Sequence, residues 1–458
     1  MPTRARVLPR RPGNPPRIAI ADDRRLLFSD DYREGWDWGF RAIGCEVQSF
    51  DISELRKGLN VGGIPSALSM GRNHAAKPLG EQLANWNPDL VFAHHGRAAS
   101  NLMFIDRLRS RGVRTACYLC DEPYETGETV TYSKNFDLVF TMDPCTIEAH
   151  RIGRAKREGV FYLPPGVNTD RFTPQPYFTE DGTLCRDMPA FFLGNGTLVP
   201  RPSFFEPVNR LVDGAVFKYL RTVSKANKKD WISLDQHPRL FSDCVVGLNV
   251  HRAPWISEEC YRTRVVNRHP QFGVPAGMTL PTAPPATGWG TGFWNDANLP
   301  ASHLNPRFLE MAACGTLVIS DNHRSELARM FPGVPQASDP EHFLELVLHY
   351  IAHPEEAEAI GDKCSYLISS RHSYKHRAAE VLIRAGLKES LPAAQLSSLG
   401  APEDWLSHQD FNEQGVALYW EAIGRSKPWS PAYGKSSISP SGNISEATSL
   451  DAPIPWSL

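Results

Sequence analysis

Residues 303–321, "HLNPRFLEMAACGTLVISD", concentrate several groups with chemical potential in one short run. Asn305 can accept backbone N–H bonds at a helix start, and Pro306 suits the first helical position. A helix start carries a partial positive charge and N–H donors, which suits a phosphate. Arg307 and Glu310 sit within the first turn or so of that helix. A second candidate is "GNG" at Gly194, Asn195 and Gly196, which follows the apolar run "PAFFL". A Gly-rich turn at a strand end lets backbone approach an anion, although most such turns are only turns. A third set can take or give a proton. His94 and His95 end "PDLVFAHH", Asp121 and Glu122 follow "VRTACYLC", and Asp143 ends "FDLVFTMD". Neighbours on a strand point to opposite faces, so at most one of His94 and His95 faces a given surface.

These groups need a scaffold, and the hydrophobic pattern supplies one. "RIAIAD" (17–22), "CEVQSFD" (45–51), "PDLVFAHHG" (88–96), "VRTACYLCDEP" (113–123), "FDLVFTMD" (136–143) and "GVFYLPPG" (159–166) read as strands. Helical stretches such as 31–44 and 101–112 lie between them. Alternating apolar strands and helices imply a parallel, doubly wound sheet that binds ligands at the carboxyl ends of its strands. The stretch from 166 to 188 breaks this rhythm with Pro, Gly and charged residues. Strands at 189–196, 244–251 and 315–321, with helices at 340–353 and 375–386, then imply a second α/β domain. The expected organisation is a flexible leader (1–16), an N-terminal domain (17–168) and a linker (169–188). A C-terminal domain (189–385) follows, then a helical extension with a mobile tail (386–458).

The formal charge of −2 offers no overall electrostatic case for a nucleic-acid backbone. No apolar run reaches the roughly 18–20 residues of a membrane span. The Arg- and Pro-rich start lacks the apolar core of a secretory signal. Cys117 and Cys120 form a CxxC, but on a strand they point to opposite faces and cannot close on one metal. Nine scattered Cys read as free thiols in a reducing cytoplasm. The absence of HExxH or paired CxxC patterns gives no protein-held metal and no cofactor.

The stretches "DLVFTMDPCTIEAHR", "VFYLPPGVNTDRFTP", "FFLGNG", "VVGLNVH", "NPRFLEMAACGTLVISD" and "SSRHSYKHRA" run in one order between about residues 115 and 385. In that order the chain resembles the CgeB-like (spore-maturation-protein-like) glycosyltransferases, relatives of the group-1 glycosyltransferases. The resemblance implies the α/β GT-B fold, with two Rossmann-like doubly wound domains facing across a cleft. It further implies that the C-terminal domain holds a nucleotide sugar and the N-terminal domain most of the acceptor. Glu310 would then bind the donor ribose, and N–H groups before the helix would cradle the diphosphate. Gly194–Gly196 would let backbone approach the donor, Arg201 would supply a phosphate cation, and Asn305 and Arg307 would belong to the same donor site. Ser302 departs from the wider pattern, which has a Glu there against the donor sugar. Residues 253–302 form a second departure, a long Gly- and Pro-rich insertion where the family usually passes quickly from strand to helix.

Transfer to a hydroxyl needs a group that can accept its proton, so His94, His95 and Asp121 are the catalytic candidates. A buried wall histidine and a turn carboxylate are the plainer readings of the same residues. Trp289 and Trp294 in the insertion offer aromatic faces for an acceptor or lid role. The expected activity is transfer of a sugar to a hydroxyl-bearing acceptor, metal-independent and with retention. The acceptor is a glycan, a protein, a small molecule or a modified nucleic-acid base. A nucleotide-sugar epimerase and a catalytically degenerate nucleotide-sugar-binding protein are the alternatives.

Overall fold

The computed structural model describes residues 14–24, 29–58, 76–95, 98–152, 154, 157–175, 177–178, 180, 184–194, 200–219, 232–252, 299 and 301–405. Six parallel strands form the first sheet: β1 (Arg17–Asp22), β2 (Glu46–Asp51), β3 (Leu90–His94), β4 (Arg114–Leu119), β5 (Leu138–Thr141) and β6 (Val160–Tyr162). Their order is β2-β1-β3-β4-β5-β6. Alternation along each strand feeds two cores. Ala19, Val91, Cys117 and Val139 pack with Phe104 and Leu108 on one face. Ile20, Phe92, Tyr118 and Phe140 pack with Trp36 and Phe40 on the other. Both faces are therefore covered, as a parallel sheet requires. Cys117 belongs to one core and Cys120 packs against the other, so the two thiols of the CxxC diverge.

A short antiparallel pair, β7 (Tyr177–Phe178) and β8 (Leu184–Cys185), lies in the region expected to be linker. The second sheet comprises β9 (Met188–Gly194), β10 (Val216–Tyr219), β11 (Cys244–Asn249), β12 (Leu317–Asp321) and β13 (Gln336–Ala337), in the order β10-β9-β11-β12-β13. It too is parallel and doubly wound. Phe308, Leu309 and Met311 cover one face, and Phe204, Phe205, Phe343 and Val347 cover the other. In each sheet the winding direction reverses between the first and third strands, the position where such sheets bind ligands. Those reversals lie at β1/β3 and β9/β11.

The two carboxyl edges face each other. Asp143, just past β5, bonds Ser302 and His303, and Tyr124, past β4, bonds groups past β11 and β12. This is the expected GT-B arrangement of two Rossmann-like domains. One boundary is corrected. The helix Tyr374–Arg384, expected to close the C-terminal domain, packs instead in the N-terminal core with Trp36 and Phe40. Its amphipathic pattern specified a buried face but not the partner. Leu391, Leu399 and Trp405 join the same core. Among the described residues no helix is long and apolar enough to cross a membrane.

Candidate active site

The helix expected from "NPRFLEMAA" spans Pro306–Ala313, and Asn305 caps it by accepting from the Arg307 N–H at 2.9 Å. Gly315 turns the chain out of the helix at φ +75°, a conformation that favours glycine. The run before the helix is held by side chains. Asp143 receives the Ser302 and His303 N–H groups, Glu326 receives that of Leu304, and His251 Nε2 receives that of Asn305. Phe308 N–H returns to the Asn305 carbonyl. Free amides were the expected phosphate ligands here, so this is a correction: these particular donors are already satisfied within the chain. What the helix start still offers an anion is its dipole.

Guanidinium groups supply more charge nearby. Arg201, at the start of the helix Arg201–Leu211, donates its Nε–H to the Val250 carbonyl at 2.5 Å. Burial lowers its pKa to about 10, and the like charge of Arg252 adds to that. Arg252 stacks on the Tyr124 ring at 3.3 Å. Buried Arg324, three residues past β12, donates to Tyr124 Oη and the Arg252 carbonyl, both at 2.6 Å. Arg201, Arg252 and Arg324 thus crowd positive charge where the two carboxyl edges meet. Arg252 and Arg324 carried no sequence motif; their only signal was a position just beyond a strand end.

His251 connects this region to the helix. Its Nδ1 lies 2.6 Å from Asp321 Oδ1, while its Nε2 accepts from Asn305 N–H at 3.3 Å. A ring that accepts at Nε2 is the neutral Nδ1–H tautomer. Burial lowers its pKa to about 4, against the pull of Asp321. His323 Nδ1 lies 2.6 Å from the other Asp321 oxygen. Asp321 is held well below the ordinary range; burial opposes this, and the His251 and His323 partners outweigh it.

Glu310 accepts from Arg307 Nη1, which also lies 3.1 Å from His237 Nδ1. The expected partners Asn305, Arg307 and Glu310 therefore occupy one helix start, with Glu310 and Arg307 paired rather than merely solvated. Gly194 ends β9, paired with Tyr219 of β10. Asn195, Gly196, Trp289 and Trp294 lie outside the described residues.

Across the junction, the two histidines separate as their strand positions require. His94 is buried, stacked near Tyr32, with Nε2 3.8 Å from Asp22 Oδ1. Burial lowers its pKa to about 3, so it stays neutral and forms part of the wall. His95 adopts φ +99°, a strained backbone state for a non-glycine residue. Its Nε2 lies 3.2 Å from Glu125. Asp121 joins them: ligand atoms of His95, Asp121 and Glu125 lie within 4.8 Å of one another. Enclosure by protein atoms raises the Asp121 carboxyl, and Glu125 adds to the shift, although 42% of the side chain remains exposed to temper both. A raised carboxyl beside an imidazole can exchange a proton with a hydroxyl. Among the described residues this is the one group with metal-ligand spacing, and Arg252 already brings a cation to 3.6 Å from Asp121.

Residues 289–383 match a family model described as "Glycosyl transferase-like". No curated protein matches the chain. Sucrose-phosphate synthase from Thermosynechococcus elongatus is similar at 13% identity, covering 80% of this chain and 97% of its own, with a TM-score of 0.46. Anabaena HepE in complex with UDP and glucose is similar at 10% identity, covering 81% and 99%, with a TM-score of 0.46. An α-glucosyltransferase in complex with UDP and a 13-mer DNA containing an A:G mismatch is similar at 12% identity, covering 81% and 98%, with a TM-score of 0.48.

Proposed function

We propose that this chain is a glycosyltransferase that moves a sugar from a nucleotide-sugar donor to a hydroxyl-bearing acceptor. The observation that carries the reading is the crowding of Arg201, Arg252 and Arg324 between the carboxyl edges of the sheets. The glycosyl transferase-like match over residues 289–383 agrees with it. Partly desolvated like charges gain most from an anion, and a departing diphosphate supplies one. Glu310 takes the donor ribose and gives up part of its pairing with Arg307 on binding.

In this reading the chemistry needs no metal, because guanidinium groups and the helix dipole stabilise the leaving group. Asp121, supported by His95 and Glu125, receives the acceptor proton. The CgeB-like assignment and retention at the anomeric carbon belong to the proposal and rest on the sequence resemblance. Buried free thiols support a reducing, cytoplasmic setting. The acceptor is a glycan, protein, small molecule or modified nucleic-acid base.

The test is incubation with UDP-, GDP- and ADP-sugars, with and without a panel of these acceptors, followed by mass spectrometry. Acceptor-dependent release of nucleoside diphosphate together with a glycosylated product is expected. A rearranged nucleotide sugar formed without acceptor, or nucleotide binding without turnover over the whole panel, would contradict the proposal.

A further inference from the structure

We infer that Asp143 of the N-terminal domain is a positioning residue that sets the donor helix against the acceptor domain. The inference rests on the donor-site reading above. Asp143 is fully buried and receives five hydrogen bonds. Its Oδ1 accepts from Cys145 N–H at 3.0 Å and Ser302 Oγ–H at 2.9 Å. Its Oδ2 accepts from Ser302 N–H at 2.8 Å, His303 N–H at 3.2 Å and His303 Nδ1 at 3.0 Å. Only the Cys145 donor comes from its own domain.

The consequence is geometric. Residues 301–305 have no regular secondary structure, yet four successive backbone N–H groups, from 302 to 305, each meet a side-chain acceptor. Asp143 takes the first two, Glu326 the third and His251 the fourth. A carboxylate from one domain thereby fixes the run that leads into the Asn305 cap and the Glu310 helix. Burial opposes ionisation, but the His303 partner and the backbone donors hold the Asp143 carboxyl below its ordinary value.

All the lone pairs of Asp143 are committed to these donors, so it positions rather than touches substrate. A Glu at position 302 would place a second carboxylate against that of Asp143, which accounts for Ser302 in physical terms.

The test compares the full-length protein with Asp143→Asn, Asp143→Ser, Ser302→Glu and Asp143→Ser/Ser302→Glu. Binding of UDP, GDP and ADP is measured by calorimetry, turnover by nucleoside diphosphate release, and domain coupling by scanning calorimetry. Asp143→Asn is expected to keep nucleotide affinity within about threefold, lower kcat at least thirtyfold and split or broaden the unfolding transition. The double variant is expected to recover at least tenfold in kcat over Asp143→Ser. Where Asp143→Asn fails to fold, Ser302→Ala serves in its place, with at least a fivefold fall in kcat at unchanged nucleotide affinity. Wild-type turnover and a single unchanged transition in the Asn variant would overturn the inference, as would equal losses of affinity and kcat. If the wild type binds none of these nucleotides, the donor reading fails, while the unfolding transition still decides whether Asp143 couples the domains.

Discussion

Two contact regions hold later parts of the chain against the first domain, and they are built from opposite materials. At one, the helix Tyr374–Arg384 lies on the helix Ser29–Ala42, with Tyr374, Ala378, Val381 and Leu382 against Trp36 and Phe40. Trp36 and Tyr374 meet edge to face at 5.2 Å. Gly39 permits the approach, since a Cβ there would lie 2.5 Å from the Tyr374 carbonyl oxygen. At the other junction, Asp143 meets Ser302 and His303, while Tyr124 meets Arg252 and Arg324. Apolar contact is non-directional and keeps its strength as small adjustments occur. Hydrogen-bonded contact is directional and reports small displacements as lost bonds. The apolar junction therefore tolerates small displacements, and the polar one sets geometry beside the candidate site.

Breaking the apolar junction should cost most. Trp36 is fully buried, so Trp36→Ala should lower stability by about 3–5 kcal/mol in urea denaturation. Nucleotide affinity of the folded fraction should stay within about threefold. A loss below about 1 kcal/mol would show that this junction is not where stability resides.

Acid should distinguish the two junctions next. His251 is lowered to about 4, and His94, His237 and His376 to about 3, each chiefly by burial. An unfolded chain takes protons on these rings near pH 6.5 while the native state does not, so stability falls as pH drops from 6.5 towards 4. Glu380, raised to about 7 by burial, and Glu326, also raised, act in the opposite direction. Raised Asp22 and Asp121 act with these two carboxyls and lowered His303 with the imidazoles; the five imidazoles give the expected net fall in stability towards acid. Asp143 and Asp321, held low, lose their contribution only below the ordinary carboxylate value of 3.8. Urea midpoints that stay level between pH 6.5 and 4.5 would contradict this. Protonating native His251 at Nε2 removes the acceptor for Asn305 N–H, so nucleotide affinity should hold through this range and fall only as pH approaches 4.

Sharpening the polar junction needs a smaller change. Tyr124→Phe removes the hydroxyl that donates to the Arg252 carbonyl at 3.1 Å and accepts from Arg324. A loss of about 1 kcal/mol is expected, with a larger proportional effect on turnover than on nucleotide affinity. Equal changes in both would argue against a purely geometric role.

Much of this architecture was readable from residue patterns. The runs 17–22, 136–143 and 315–321 carry β-branched or apolar residues between turn signals, and each became a strand. Asn305 and Pro306 announced a helix start, because capping is local chemistry. The long helix Pro354–Arg371 and the two-residue β13 were not anticipated: one shows little amphipathic contrast, and the other is too short to form a pattern. The partner of Tyr374–Arg384 was hidden because periodicity says how a helix is buried, not against what. At the site, Asp121 and His95 were visible as strand-end groups, whereas the Asp143–Ser302 pair is separated by 159 positions. Nothing local in the sequence links the two, so the contact could be seen only after folding.

The most direct test of the whole account is calorimetric titration of UDP, GDP and ADP into the wild type and Glu310→Ala, with the unfolding temperature measured in parallel. The account predicts binding of at least one nucleotide to the wild type. In the variant it predicts at least a tenfold loss of affinity with the unfolding temperature nearly unchanged. Equal affinity in both proteins, or no binding of any of the three to the wild type, would contradict it.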